Sequence, residues 1–465
     1  MTQRVAPSRS GARLAAPLVL ALAALGAYAA PAGAVLPRPD ERPSPARRTP
    51  VVAAVEKVRG AVVNVAAEEL VRFRERRAGS MAELLFGELF DRPTARRGYA
   101  VTSLGSGVLV SPDGWVLTNT PVVERGARFR VGLLDGRELL AKVVGTDPSS
   151  DLAVLRIDTK EKLPYATMGS SDALLIGETV IAIGNPFGLS HTVTTGVVSA
   201  VHRSFKAGDR MLFDFIQTDA SINPGNSGGA LLDIEGRLVG VNTAILGERS
   251  AGIGFAVPID RARRIAEDLI SHGAVREGYV GLTVDDLPAK EGRTPDVSGG
   301  VVVTGVDPGS PAERAGLKKG DVVESVQGFP PQNAEEFRFR VRDLAIGSTA
   351  RLELSRGGAR KQVQVTAVEL SPERVSELVA RRTGLSLGEE RAQGGALVVV
   401  KAVARGSPAA RLGLQPGDLV REVNSTEVSS LAEFRKVASR ARRSGELVLL
   451  IQRGYAAERF AFGLD

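Results

Sequence analysis

The group in this chain best placed to do chemistry is a serine set between glycines. Gln217 to Leu231 reads QTDASINPGNSGGAL, with Ser227 at the centre of its Gly-Asn-Ser-Gly-Gly core. Glycines on either side allow a tight turn and a close approach, so the hydroxyl can face a substrate carbonyl while backbone amides aim at the oxygen that becomes negative. Such a serine needs a general base, because an unassisted hydroxyl is a poor nucleophile near neutral pH. Asp151, in the segment SSDLAVLRI from Ser149 to Ile157, is an acid that could orient one. The chain offers three histidines, His191, His202 and His272.

The elements that must position these residues are mostly strands. From Val51 to Val257 the chain runs as short apolar stretches divided by glycine-rich turns, and Pro112 to Gly114 is a Pro-Asp-Gly hairpin signal. Many short strands with few helical windows predict a barrel or sandwich. One helix is predicted over Pro258 to His272, with Ile259, Ala262, Ile265, Ala266, Leu269 and Ile270 at helical spacing and Gly273 as its stop.

Length calls for several cores, since 465 residues exceed what a single one organises. Composition is that of a globular protein, 43% hydrophobic and 24% charged. The formal charge of +7 falls to +4 without the first 29 residues, which is too mild to argue for nucleic acid. Those residues read as an export signal. Arg4, Arg9 and Arg13 precede the apolar run Leu14 to Ala27, and small-residue cleavage sites follow at Ala29 or Ala34. An uncleaved anchor is the alternative, disfavoured by the shortness of the run. With no cysteine, packing alone holds the domains together. Residues 30–50 form a Pro/Arg-rich linker. No cofactor or metal is expected.

An internal repeat follows. GSPAERAGLKKGDVVESV begins at Gly309 and GSPAARLGLQPGDLVREV at Gly406, 97 residues later, and Phe337 and Phe434 keep the same offset. Two long copies are tandem domains rather than a solenoid. Helical spacing over Ser371 to Arg382 predicts a connecting helix.

On these residues the chain resembles the HtrA/Deg family of chymotrypsin-like serine proteases: TNTPVV at Thr118 to Val123, SDLAVLRI, GNPFGLS, the Ser227 block, and two PDZ-like repeats. The resemblance implies a mainly β chain, with a chymotrypsin-like double β-barrel over residues 51–273. PDZ-like α/β modules would follow at 278–370 and 371–465. It implies Ser227 as nucleophile, Asp151 as the triad acid, and the amides of Gly225 and Ser227 as the oxyanion hole. In the first module Tyr279, Val280, Gly281 and Leu282 match the loop that takes a peptide's C-terminal carboxylate while the peptide adds as an edge strand. In the second, Thr383 to Leu387 matches less closely. It further implies periplasmic quality control of unfolded proteins, binding of C-terminal peptides, and assembly as a trimer or a multiple of one. Neither nucleic acid nor a stable membrane span is expected. The Arg-rich loop from Arg72 to Tyr99 resembles a regulatory loop, the alternative being a solvated insertion.

One position departs. The family places histidine after Thr-Asn-any, and here Thr118-Asn119-Thr120 is followed by Pro121. Proline has no titratable nitrogen, so it can neither take the serine proton nor return one to the leaving amine. His272 reads as a helix C-terminal cation and His202 as a solvent-facing strand residue, which leaves His191 as candidate substitute base. Two expectations follow: a protease fold with an impaired triad that works as a binder, chaperone or regulator, or an endopeptidase cutting through a substitute base.

Overall fold

The computed structural model describes residues 45–74, 95–124, 126–185, 191–207, 210–223, 225–243, 252–287, 299–392, 395–441 and 446–463. The export signal and most of the Arg72–Tyr99 loop lie outside them. Helix α1 (Pro50–Val58) opens the folded region just past the Pro/Arg-rich linker, and sequence reading, which began its strands at Val51, missed it. The signal was there: Thr49 caps it by accepting from Val52 N, and Pro50 occupies the first turn, where its missing N–H costs nothing.

Six antiparallel strands then close a barrel. β1 (Val62–Arg74), β2 (Ala95–Leu109), β3 (Trp115–Thr118), β4 (Arg128–Gly132), β5 (Glu138–Asp147) and β6 (Leu152–Ile157) pair in the order β1-β2-β3-β6-β5-β4. The Pro-Asp-Gly hairpin joins β2 to β3, with Gly114 N donating to Ser111 O. Between β3 and β4 lies one helical turn, α2 (Thr120–Val123). A second barrel, in the order β10-β11-β12-β9-β8-β7, is built from β7 (Thr179–Gly184), β8 (Thr192–Ala207), β9 (Arg210–Thr218), β10 (Ala230–Asp233), β11 (Leu238–Thr243) and β12 (Gly254–Pro258). β6, β7, β10 and β11 read as apolar runs because nearly every residue in them is buried. Helix α3 (Ile259–His272) follows as its spacing predicts, ending at Gly273 with φ 68°. Ile270 is the exception on its apolar face, 40% exposed.

The repeat folds twice. β13 (Gly278–Tyr279), β14 (Leu282–Asp286), β15 (Val301–Val306), helix α4 (Pro311–Arg314), β16 (Val322–Val326), helix α5 (Ala334–Arg342), β17 (Thr349–Arg356), β18 (Ala359–Thr366) and β19 (Val368–Glu369) make the first module. Its main sheet runs β14-β15-β16-β17-β18, so β14 is an edge strand. Helix α6 (Pro372–Thr383) then leads into the second module. That module comprises β20 (Leu385–Ala392), β21 (Gly395–Val403), helix α7 (Pro408–Arg411), β22 (Leu419–Val423), β23 (Thr426–Glu427), helix α8 (Leu431–Ala441), β24 (Glu446–Arg453) and β25 (Ala456–Gly463).

Each repeated sequence feature has one physical job. Ser310 and Ser407 cap α4 and α7, accepting from Glu313 N and Ala410 N. Phe337 and Phe434, 1% and 0% exposed, centre the two cores. The aspartate of each Gly-Asp turn is clasped by an arginine opposite it on the neighbouring strand. Arg356 Nε and Nη2 reach the two Asp321 carboxylate oxygens at 2.6 and 2.8 Å, and Arg453 reaches Asp418 at 2.6 and 2.7 Å. These arginines also stand 97 residues apart.

The first module rests on the foot of α3. Phe213 of β9 stacks on Phe339, ring centroids 5.0 Å apart, and Arg264 pairs with Asp343. Arg261, 6% exposed, lies 4.5 Å over the Phe339 ring while donating to Phe213 O and to Ser150 Oγ. Burial pushes the Asp343 carboxyl up, against the opposing pull of Arg261 and Arg264.

Candidate active site

Ser227 sits on the turn that leads into β10, and that turn is stitched to the first barrel. Ser106 N of β2 donates to Ser227 O at 3.0 Å, and Ser106 Oγ donates to Gly225 O. Thr118 Oγ1 holds the Ser106 carbonyl at 2.7 Å. Gly228 has no alternative residue here: φ is +84°, and a Cβ would stand 2.1 Å from Ser106 O. The turn is closed on its own barrel by Gly228 N to Asn242 O and Asn242 N to Gly229 O, each 2.9 Å. Gly228 thus allows close approach between the barrels.

Asp151 ends the 3-10 turn Pro148–Ser150, in the left-handed region at φ 54°, which an Asp tolerates better than most residues. It is 9% exposed, and Thr243 Oγ1 donates to its Oδ2 at 2.5 Å. Ser227, Asp151 and Pro121 therefore come from the turn before β10, the turn before β6 and helix α2.

Pro121, where the resemblance places a histidine, is exposed in the first turn of α2. Sequence reading missed its neighbour. Ser227 Oγ donates to Asn119 Oδ1 at 2.5 Å, and Asn119 Nδ2 donates to Asp151 O at 2.8 Å. Asn119, 1% exposed, so links the serine to the aspartate through its amide. An amide oxygen accepts a hydrogen bond but is not basic near neutral pH, so it can hold the hydroxyl and cannot relieve it of its proton. Asn119 was visible in the Thr-Asn motif; its rotamer, which decides its role, was not.

The histidines take other work. His191 Nε2 is 2.9 Å from Val62 O, which makes it the donor to a backbone carbonyl of β1. That bond and the Ser227–Asn119 bond share no atom. His202 is not the solvent-facing residue expected. Its Nδ1 is 2.5 Å from Asp214 Oδ1 and its ring lies 3.9 Å from that of Phe329, in the first repeat module. A partner supplied by another domain left no local signal. Burial raises the Asp214 carboxyl, but the His202 hydrogen bond together with Arg261 and Arg340 brings it below the usual range. His272 occupies the last turn of α3, 3.8 Å from Asp268, as expected.

Comparison with known proteins decides the family. Residues 105–241 match a trypsin-like peptidase domain, and residues 278–367 and 399–453 each match a PDZ domain. The periplasmic pH-dependent serine endoprotease DegQ of Escherichia coli is 39% identical over 410 residues, covering 86% of this chain and 88% of that one. A probable periplasmic serine endoprotease, DegP-like, of Pseudomonas putida is 35% identical, covering 88% and 92%. The chain belongs to the HtrA/Deg family of serine endoproteases. Among solved structures, the HtrA-type protease AlgW with a decapeptide shares 35% identity at a TM-score of 0.50, over 69% of this chain and 98% of that one. The HtrA/Deg architecture of peptidase domain and two PDZ domains is thus present in full.

The two PDZ loops are more alike in space than in sequence. Gly281 has φ +81°, and a Cβ on it would lie 2.2 Å from the Ser310 side chain. Gly384 also has φ +81°, and its Cβ would lie 2.1 Å from Ser407. Gly384, within the looser match over Thr383 to Leu387, is also the C-cap of α6. Among the described residues no helix is long and apolar enough to cross a membrane.

Proposed function

We propose that this HtrA/Deg chain is a protease fold with an impaired triad, working in the periplasm as a PDZ-based binder of unfolded proteins or a regulator of active relatives. One observation carries the reading: proline at the base position, with the Ser227 hydroxyl turned to the amide of Asn119. Ser227, Asp151 and the amides of Gly225 and Ser227 keep their triad and oxyanion-hole roles in this reading, and the proton acceptor alone is gone. Binding and an oxyanion hole without the base leave only about 10³- to 10⁴-fold acceleration over water, far short of a working peptidase. The loops Tyr279 to Leu282 and Thr383 to Leu387 then remain as the useful surfaces, taking peptide C termini by strand addition. Assembly into trimers or multiples of them belongs to the same proposal, as does export by the N-terminal segment.

A fluorophosphonate probe tests it directly. We expect no labelling of Ser227 over hours, casein left intact, and suppressed aggregation of an unfolded client. Labelling of Ser227 with casein cleavage that Ser227→Ala abolishes would overturn it.

A further inference from the structure

The groove of the first PDZ domain lies between edge strand β14 and helix α5, but part of its wall comes from outside that domain. Helix α6, which leads into the second PDZ domain, lays Leu378 and Arg382 along it. Leu378 is 6% exposed although it belongs to neither PDZ core. Arg382 Nη2 donates to Thr283 Oγ1 on β14 at 2.8 Å. Further contacts fasten the helix there. Arg381 pairs with Asp307, Arg374 Nη2 donates to Gly309 O at 2.9 Å, and the Arg374 guanidinium stands 5.9 Å from the centre of the Tyr279 ring. Tyr279 OH donates to Asp307 at 2.6 Å, so the same contact ties in the residue that opens the carboxylate loop.

The groove is strongly basic. Arg338 and Arg342 of α5 line it with Arg382, and Arg338 Nη1 donates to the Val284 carbonyl on the β14 edge at 3.3 Å. The acid at its mouth, Asp307, is engaged by Arg381 and Tyr279. Among the described residues Arg382 has a hydroxyl as its partner and no carboxylate. A guanidinium held on a neutral partner beside an open strand edge gains most from an incoming anion. Thr283 stands two residues past Gly281, roughly 7 Å along the strand, which is too far to share a terminal carboxylate taken by the loop amides. The anion it meets therefore belongs to a side chain.

We propose that α6 is a working wall of the first PDZ groove, and that its Arg382 selects peptides with an acidic side chain about two residues before the C terminus. This rests on the reading of Tyr279 to Leu282 as the peptide-binding loop. The second PDZ domain and its leading helix thereby set what the first one binds.

The test uses the full-length protein at low salt and short fluorescent peptides ending in valine, differing only in Glu, Gln or Lys at the third residue from the end. Anisotropy should give the Glu peptide an affinity about tenfold above the Gln peptide, with Lys weakest. Arg382→Ala should remove the tenfold preference, leaving the Glu and Gln peptides with equal affinity. Arg382→Glu should reverse the order of Glu and Lys, and Arg382→Lys should keep part of the preference, which a merely structural role would not do. Equal binding of Glu and Gln by the parent, or a Glu preference that survives Arg382→Ala, would overturn the inference while leaving the peptide-binding reading intact. That reading fails separately if the Gln peptide binds Gly281→Val, whose new side chain clashes with Ser310, as well as it binds the parent. No binding of any peptide would sink both.

Discussion

Replacing Pro121 by histidine should convert this chain into a peptidase, and the size of the gain can be worked out. Removing the histidine from a working serine protease costs about 10⁶ in kcat, or about 8 kcal/mol at 1.36 kcal/mol per tenfold. Restoring it must first free the Ser227 hydroxyl from Asn119 Oδ1, a neutral hydrogen bond worth about 1 kcal/mol. Asp151 adds no comparable cost, because a carboxylate can keep its Thr243 bond and still accept from an imidazole. The net expectation is a gain of about 10⁵-fold in kcat for an unstructured peptide substrate. Stability changes little: Pro121 is exposed, and losing a proline's restraint on the unfolded chain costs about 0.4–1 kcal/mol. The assay is cleavage of a quenched-fluorescence peptide by the parent, Pro121→His, and Pro121→His with Ser227→Ala, beside their melting curves. The reasoning fails if Pro121→His folds like the parent yet cuts within tenfold of it, or if its activity survives loss of Ser227.

The remaining predictions concern the repeat. The guanidinium bonds of Arg356 and Arg453 hold the Asp321 and Asp418 carboxyls below the usual range, against the opposing effect of burial. A lowered carboxyl stabilises the fold above its unfolded pKa near 4 and loses that contribution as pH falls through the lowered value. Asp321→Asn should therefore lower the melting temperature of the first PDZ domain by roughly 5–10 °C at pH 7, the gap from the parent closing toward pH 2; a gap independent of pH would contradict the assignment. Phe337→Ala and Phe434→Ala should each destabilise their own domain by about 3–5 kcal/mol in urea unfolding followed by hydrogen exchange, leaving the barrels unchanged. A loss below 1 kcal/mol in either would show that the copies are not built on the same core.

What could be read from the sequence was what local backbone chemistry dictates. The Ser227 turn announced itself because only glycines permit its positive φ and its 2.1 Å approach to Ser106. The PDZ repeat did so because caps, Gly-Asp turns and core phenylalanines recur at one offset. What could not be read depends on partners far along the chain. Asn119 looks like any strand-end polar residue until the second barrel brings Ser227 to it. His202 looked solvent-facing because Phe329 arrives from another domain. Leu378 and Arg382 look like ordinary positions on a connecting helix, and only docking assigns them to a groove built by an earlier segment.

Arg261 has a mechanical consequence. One buried side chain touches the ring that anchors the first PDZ domain, a β9 carbonyl and the hydroxyl of Ser150, immediately before Asp151. It works as a rivet through three plates: the accessory domain cannot swing away without either shearing it or pulling on the peptide unit that carries the acid. Motion in the outer part of the molecule is therefore felt at the peptide unit next to Asp151.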